Sequence, residues 1–361
     1  MDREFRPNIF PFPGQDLAEK LEELKIGPKE FAVRTGKPEK TITAILKGES
    51  SITADMAVSF ETVLKIPARF WLNRQKDYDE YKAREKRKQA VTEAEQWVSS
   101  FPVKQMIKNG WLRETKTHQE KTLELFSFFG ISNHKAWEDY YCNKTLKVAF
   151  SISLKTTKNP HSISAWLRKG ELQAAAIDTD LFSAQAFRNI LPEIKNIMAE
   201  QPDDFFSRLQ QICRSVGVML VPTPCLPGAP INGSTRWIKD NPLIQLSGRY
   251  KRNDIFWFTF FHEAAHILLH GKKNVFIEIE KYADQDHAKE DEANEFAVKW
   301  TLSEEEEKKV LENKHLTDAV IMKLAEQFNT HPGVIIGRLQ HKKIIPHTVG
   351  RQFIKSIELC R

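Results

Sequence analysis

Two histidines four residues apart flank a glutamate in the run His262-Glu263-Ala264-Ala265-His266. On an α-helix, residues i and i+4 lie on one face, so both imidazoles can reach one point in space. Two imidazole nitrogens at about 2.0–2.1 Å suit a zinc ion. The carboxylate beside the first histidine can take a proton from a metal-activated water, whose pKa zinc lowers to about 7. The chemistry expected is hydrolysis by activated water, with Glu263 as general base. A pentapeptide with three fixed positions is a modest filter, so its surroundings matter. Trp257, Phe258, Phe261, Ala265 and Leu269 fit a half-buried helix, and a β-prone stretch precedes it.

A catalytic zinc site needs a third protein ligand and an open position. His270 lies two turns beyond His262, about 12 Å along a straight helix axis. It is therefore expected to be a polar residue at the helix end, where an imidazolium would suit the dipole. The next helix, within EDEANEFAVKW, is the better source. Glu290, Ala293, Asn294 and Ala297 share one stripe at i, i+3, i+4 and i+7. The small alanines allow close packing on the histidine helix. Glu290 is the favoured ligand and Asn294 the hydrogen-bond partner of a ligating histidine. Glu292, about 200° away on the wheel, is expected to face solvent and is the reserve ligand.

These residues need a scaffold. Upstream of the site, Val216–Val221, Ile231–Ile238 and Pro242–Ser247 are short, β-prone and separated by Pro and Gly. A helix from Asn253 to His270, another from about Lys289 to Thr301, and two more near the C-terminus complete a small α+β domain over residues 215–361. Residues 91–214 are rich in helix formers and aromatics, including Trp97, Trp111, Phe126, Trp137 and Trp166, and read as a helical middle region without a repeat period. Residues 76–90 are densely charged and read as a solvated helical linker. Residues 1–75 read as a bundle of short helices: Gln15–Lys25, Lys29–Thr35, Glu39–Lys47, then Ala54–Lys65 with Thr53 as N-cap, and a short fifth helix through Trp71 and Leu72. The fold expected is mainly α with one small α+β domain.

With 361 residues, two or three units are expected, and a hydrophobic fraction of 41% supports real cores. A net charge of +6 is compatible with a nucleic-acid partner without arguing for one. Cys142, Cys213, Cys225 and Cys360 are scattered with no CxxC pair, which argues against a disulfide framework or a cysteine zinc site. The opening MDREFRPNIF begins with charge and lacks the apolar stretch of a signal peptide. Apolar patches such as Ile255–Phe261 are too short to span a bilayer. A cytoplasmic protein without membrane association is expected.

The run FWFTFFHEAAHILLHGKK followed by EDEANEFA strongly resembles the ImmA/IrrE metallopeptidase family over roughly residues 215–345, together with NPLIQLSGRYKRND before the site and HPGVIIGRLQHKK near the end. The resemblance implies a zincin-like domain that holds Zn²⁺ by His262, His266 and Glu290, with Glu263 as base. It also implies cleavage of a repressor-type regulator. The chain departs from the family where Leu-Leu-x-Pro is common, reading Val298-Lys299-Trp300-Thr301-Leu302-Ser303. The segment PLIQLS is expected to be an edge strand to which an extended peptide adds.

In residues 28–48, Ala32, Gly36, Ile42 and Ile45 stand where a helix-turn-helix needs a small crossing residue, a turn glycine and an apolar pair. Residues 11–80, with GKPEKTITAILKG, ITADMA and FWLN, resemble HigA-type antitoxins of the XRE class. The resemblance implies that Glu39, Lys40, Thr41 and Thr43 enter the major groove of a double-stranded DNA operator, with Lys47 near phosphate, and that a homodimer reads two half-sites. Pro28 stands where a phosphate-contacting Gln is common, and Pro38 where a Ser is usual. The function expected is a DNA-binding regulator fused to a zinc endopeptidase acting on a regulatory protein. The alternative is a non-catalytic antitoxin or repressor whose metal-binding domain senses a ligand or binds a toxin.

Overall fold

The computed structural model describes residues 11–144, 159–272, 276–279, 287–313 and 315–359, with the side chains of 142–144, 276–279 and 287 left aside. The opening ten residues, the Cys142 side chain and Cys360 lie outside that description. The chain divides into two compact units, Met1–Glu93 and Ala94–Arg361. Residues 94–214 and 215–361 thus share one unit.

The first unit contains α1 (Pro13–Glu23), α2 (Pro28–Thr35), α3 (Glu39–Leu46), α4 (Ala54–Leu64) and α5 (Ala68–Glu93). Pro28 opens α2 at N1, where its missing N–H costs nothing. Gly36 closes it at φ +65°, and the Gly36 and Lys37 amides donate to the Val33 and Ala32 carbonyls. Thr53 caps α4 by accepting from the Met56 amide. Leu17, Leu21, Phe31, Ala32, Ile42, Ile45, Phe60 and Trp71 form the core. Phe31 and Trp71 both pack on Phe60, with ring centroids 4.9 and 5.9 Å away. The fifth helix is not short, as expected from Pro67 and Trp71, but runs for 26 residues through the charged stretch. No Gly or Pro interrupts residues 68–93, and ion pairs such as Arg84–Glu80 at i,i+4 suit an exposed helix.

The second unit begins with α6 (Glu95–Ser99), α7 (Val103–Lys108), α8 (His118–Phe129) and α9 (His134–Trp137), which runs into a π-helix over Glu138–Lys144. Trp97, Phe101, Phe129 and Trp137 gather there, and His161 stacks on Trp137 at 4.6 Å. Then come α10 (Pro160–Ala174), α11 (Ala184–Glu200), α12 (Phe205–Ser215), β1 (Met219–Pro222), β2 (Ile231–Ile238), β3 (Asn241–Leu246) and α13 (Asn253–Ala265). A π turn (His266–His270) extends α13. β4 (Phe276–Ile279), α14 (His287–Thr301), α15 (Glu304–Leu311), α16 (Asp318–Gln327), α17 (Pro332–His341) and a 3₁₀ turn (Arg351–Phe353) follow.

The sheet order is β1-β3-β2-β4. β1 runs parallel to β3, whereas β2 runs antiparallel to β3 and to β4. The expectation that PLIQLS is an edge strand is therefore corrected. β3 has a neighbour on each side, because β1, delivered by α12, pairs with it from outside the β2–β3 hairpin. Alternation along the strands assigns the faces. Thr235 donates to the Glu263 carbonyl at 3.0 Å, so that face meets α13. Arg236 donates to the Leu167 carbonyl at 2.6 Å and Gln245 to that of Trp166 at 2.7 Å, so the other face meets α10. The main core lies around α13 and includes Leu220, Ile244, Leu246, Phe256, Trp257, Phe260, Phe261, Ala264, Ile335 and Leu339. Among the described residues, no helix is long and apolar enough to cross a membrane.

Candidate metal centre and helix-turn-helix module

α13 is fixed before its histidines are reached. Phe256, Trp257, Phe260 and Phe261 are buried along it. The Trp257 indole donates to Gln201 Oε1 at 2.6 Å. This packing sinks the polar end of the helix into the protein: His262, Glu263 and His266 are each no more than 2% exposed. Buried polar groups are costly unless they have partners, so their surroundings carry information.

α14 lies beside α13, with Ala293 and Ala297 fully buried and Trp300 stacked on Phe261 at 5.9 Å. The close approach brings Glu290 to the histidines. Its carboxylate oxygens lie 3.2 Å from His262 Nε2 and 3.7 Å from His266 Nε2, and the two Nε2 atoms are 3.0 Å apart. One ligand atom from each of the three residues falls within 4.8 Å of the others. Asn294, on the same stripe as Glu290, places Oδ1 3.0 Å from His262 Nδ1. A carbonyl oxygen only accepts, so His262 Nδ1 carries the hydrogen and the Nε2 lone pair faces His266.

His270 lies outside the three-residue cluster. The widened turn after Ala265 instead sets its Nδ1 2.9 Å from His266 Nδ1, and its Nε2 meets Glu292 Oε2 at 2.9 Å. The Glu292 side chain is 59% exposed, as expected, yet its carboxylate also accepts from His270 and is not purely solvent-facing. Sequence reading missed this link. The His266–His270 spacing of four was the available signal.

Burial first, then the nearby His262, His270 and Lys289, push the His266 pKa far below the usual range, so that ring is neutral. Gly233 on β2 was also missed. A Cβ there would sit 2.6 Å from Glu263 Oε1, so the carboxylate lies against bare backbone. Beyond the sheet, burial pulls the Arg236 guanidinium down to about 10, while the charges of Glu171, Tyr141 and Glu263 work in the other direction.

The donor set fits zinc. At N–Zn distances of about 2.0–2.1 Å, tetrahedral geometry separates two nitrogens by about 3.3 Å, close to the spacing of the paired Nε2 atoms. Two lone pairs facing each other beside a carboxylate repel unless a cation lies between them. Glu290 supplies the oxygen ligand of that set.

In the first unit, α2, with Ala32 buried, packs on α3, and the chain turns between them at Gly36. α1 crosses α3 so closely that a Cβ on Gly14 would lie 1.9 Å from the Ile45 carbonyl oxygen. Ile42 and Ile45 point into the core, which leaves Glu39, Lys40 and Lys47 exposed and Thr41 and Thr43 half-buried. Lys37 pairs with Asp55 on α4.

A buried His–His–Glu cluster under a small mixed sheet, in a chain that also carries a helix-turn-helix bundle, defines a metallopeptidase-type domain joined to a regulator module. Comparison with known proteins agrees. Residues 213–340 match the IrrE N-terminal-like domain of peptidase family M78. The HTH-type transcriptional regulator YddM of Escherichia coli (strain K12) is 32% identical over 65 residues, which is 18% of this chain and 69% of YddM. Among solved structures, a HigA-family antidote protein from Coxiella burnetii is 35% identical over 23% of this chain and 92% of its own, with a TM-score of 0.22. A putative antidote protein of a plasmid maintenance system from Nostoc punctiforme is 31% identical over 25% and 96%, with a TM-score of 0.23. The chain thus carries an IrrE N-terminal-like domain over residues 213–340, and its N-terminal segment belongs with the HTH-type regulators.

Proposed function

We propose that this protein is a DNA-binding regulator fused to a zinc-dependent endopeptidase, and that it acts in the cytoplasm on a repressor or other regulatory protein. The observation that carries the reading is the meeting of His262 Nε2, His266 Nε2 and the Glu290 carboxylate within 4.8 Å in a buried site. These three residues would hold the ion. Zinc bound there supplies a Lewis acid that polarises a peptide carbonyl and acidifies water.

The chain's own residues do the rest. Asn294 orients His262. Glu263 takes a proton from the attacking water onto its carboxylate and passes it to the leaving amine as the C–N bond breaks. The aromatic wall of α13 limits water around these groups, which strengthens each electrostatic contact. An extended substrate cannot pair with β3. Among the described strands β1 and β4 end the sheet order, and β4 adjoins β2, whose Gly233 lies against Glu263, so its outer edge is the place for main-chain pairing.

The helix-turn-helix reads a double-stranded operator through Glu39, Lys40, Thr41 and Thr43, with Lys47 near phosphate, and works as a homodimer. The α2–Gly36–α3 geometry and the likeness to an HTH-type regulator support this part. Proteomics of cells expressing wild type and Glu263→Gln tests the whole. The reading expects a regulatory protein cleaved only by wild type. Identical proteomes, with DNA binding intact, would move the assignment to a non-catalytic antitoxin or repressor.

A further inference from the structure

The two histidines of the cluster are supported in different ways. His262 leans on an amide, whereas His266 leans on another histidine, and that histidine leans on a carboxylate. His266 Nδ1 lies 2.9 Å from His270 Nδ1, and His270 Nε2 lies 2.9 Å from Glu292 Oε2.

The hydrogens in this series can be placed from its outer end. An ionised carboxylate only accepts, so His270 Nε2 carries a hydrogen. A neutral imidazole has one N–H, which makes His270 Nδ1 an acceptor. His266 Nδ1 must then donate, and its lone pair is left on Nε2. Nε2 is the atom that faces His262 and Glu290.

Burial is graded along the same path. The side chains of His266 and His270 are 1% and 3% exposed, and that of Glu292 is 59% exposed. The series therefore ends on a charge that keeps its hydration. The π turn at His266–His270 brings the two ring centroids to 5.1 Å, with the planes tilted by 47°, and such turns recur at functional positions. Glu292 belongs to α14, the helix that also carries Glu290 and Asn294. One helix thus presents the third ligand and the outer support of both histidines.

We propose that His270 and Glu292 are a positioning pair for His266, which fixes its tautomer and ring orientation so that Nε2 is offered to the metal. The inference rests on the metal-site reading above. Partners of ligating histidines typically set metal affinity by roughly ten- to a hundredfold.

The test uses full-length protein with ¹⁵N-labelled histidine and two readouts besides activity. NMR of the metal-free form reports which ring nitrogen of His266 carries the hydrogen. Competition with a chromophoric chelator reports the zinc dissociation constant. Wild type should show His266 protonated at Nδ1. His270→Ala should shift that tautomer and weaken zinc binding by roughly ten- to a hundredfold. His270→Asn, whose Oδ1 replaces the Nδ1 acceptor, should recover most of the affinity. Glu292→Ala changes an exposed side chain without threatening the fold, and should weaken binding by about tenfold. Zinc affinities of the folded variants within about twofold of wild type, an Asn variant no better than Ala, or a wild-type His266 protonated at Nε2 would each overturn the pairing while the metal site stands. A wild-type chain that takes no zinc would remove the metal-site reading and this inference with it.

Discussion

Gly233 and Glu263 occupy space that only a glycine leaves open. A Cβ at position 233 would lie 2.6 Å from Glu263 Oε1 and 2.7 Å from Thr259 Cγ2. The end of Glu263 can yield, but the short buried Thr259 cannot, so Gly233→Ala should cost about 1–3 kcal/mol of stability. It should also displace the carboxylate proposed to handle the proton. A misplacement of about 1 Å can cost about a hundredfold in rate. Gly233→Ala is expected to lose about ten- to a hundredfold in peptidase activity while keeping its zinc, as measured by cleavage kinetics beside metal analysis.

Asn294 acts through His262. Asn294→Ala removes the acceptor that holds Nδ1–H and should weaken zinc binding about tenfold or more. Asn294→Asp offers a stronger, charged acceptor and should bind zinc at least as tightly as wild type. Chelator competition distinguishes the two. A pair of variants with equal affinities would show that Asn294 does not orient the ligand.

The acid stability of the second unit should depend on His331. Its Nδ1 accepts the Gly333 amide as the N-cap of α17 and lies 3.1 Å from Asn253 Nδ2, so the folded state needs that nitrogen bare. Burial first, then Lys355, lowers the His331 pKa to about 4, with Asp254 opposing. The unfolded chain binds the proton more readily, near pH 6.5. Stability from this group is therefore complete above pH 6.5 and falls as the pH drops toward 4. The loss should be on the order of 2 kcal/mol. His331→Asn keeps a capping oxygen and should flatten that part of the urea-denaturation profile between pH 7 and 4.

On the DNA side, Lys47 and the residues opening α3 should behave differently. Lys47→Ala would remove the proposed phosphate contact and should weaken all sequences alike, lowering the salt slope of log K by about 0.9. Thr43→Ala or Lys40→Ala should alter sequence preference, by about 1–3 kcal/mol at one base pair. Anisotropy titrations over a salt series separate these effects. Equal losses on operator and random DNA for all three variants would argue against base reading by α3.

Much of the architecture was legible because it is written in local spacing. Ala32, Gly36, Ile42 and Ile45 specify a helix pair through neighbours a few residues apart, and the pair is seen at those positions. The stripe Glu290, Ala293, Asn294, Ala297 put its two polar members on one face, and both meet His262. What escaped was non-local. β3 looks the same at an edge or inside a sheet, and only the parallel pairing of β1 from across the hairpin decides. His270 and Glu292 are joined by the relative placement of two helices and by a π turn that no residue pattern announces. Residues 76–90 read as a solvated helical linker, and they are helical, but their continuity with the helix that opens at Ala68 was not legible. With no Gly or Pro between residues 68 and 93, nothing in the charged stretch ends α5.

The central claim is that His262, His266 and Glu290 hold one zinc ion. Elemental analysis of full-length protein purified from zinc-replete medium without chelators tests it most directly. The account predicts about one zinc per chain for wild type and for Glu263→Gln, and a large loss in a folded Glu290→Ala variant. A folded wild-type protein that carries no zinc and takes none up when it is supplied would contradict it.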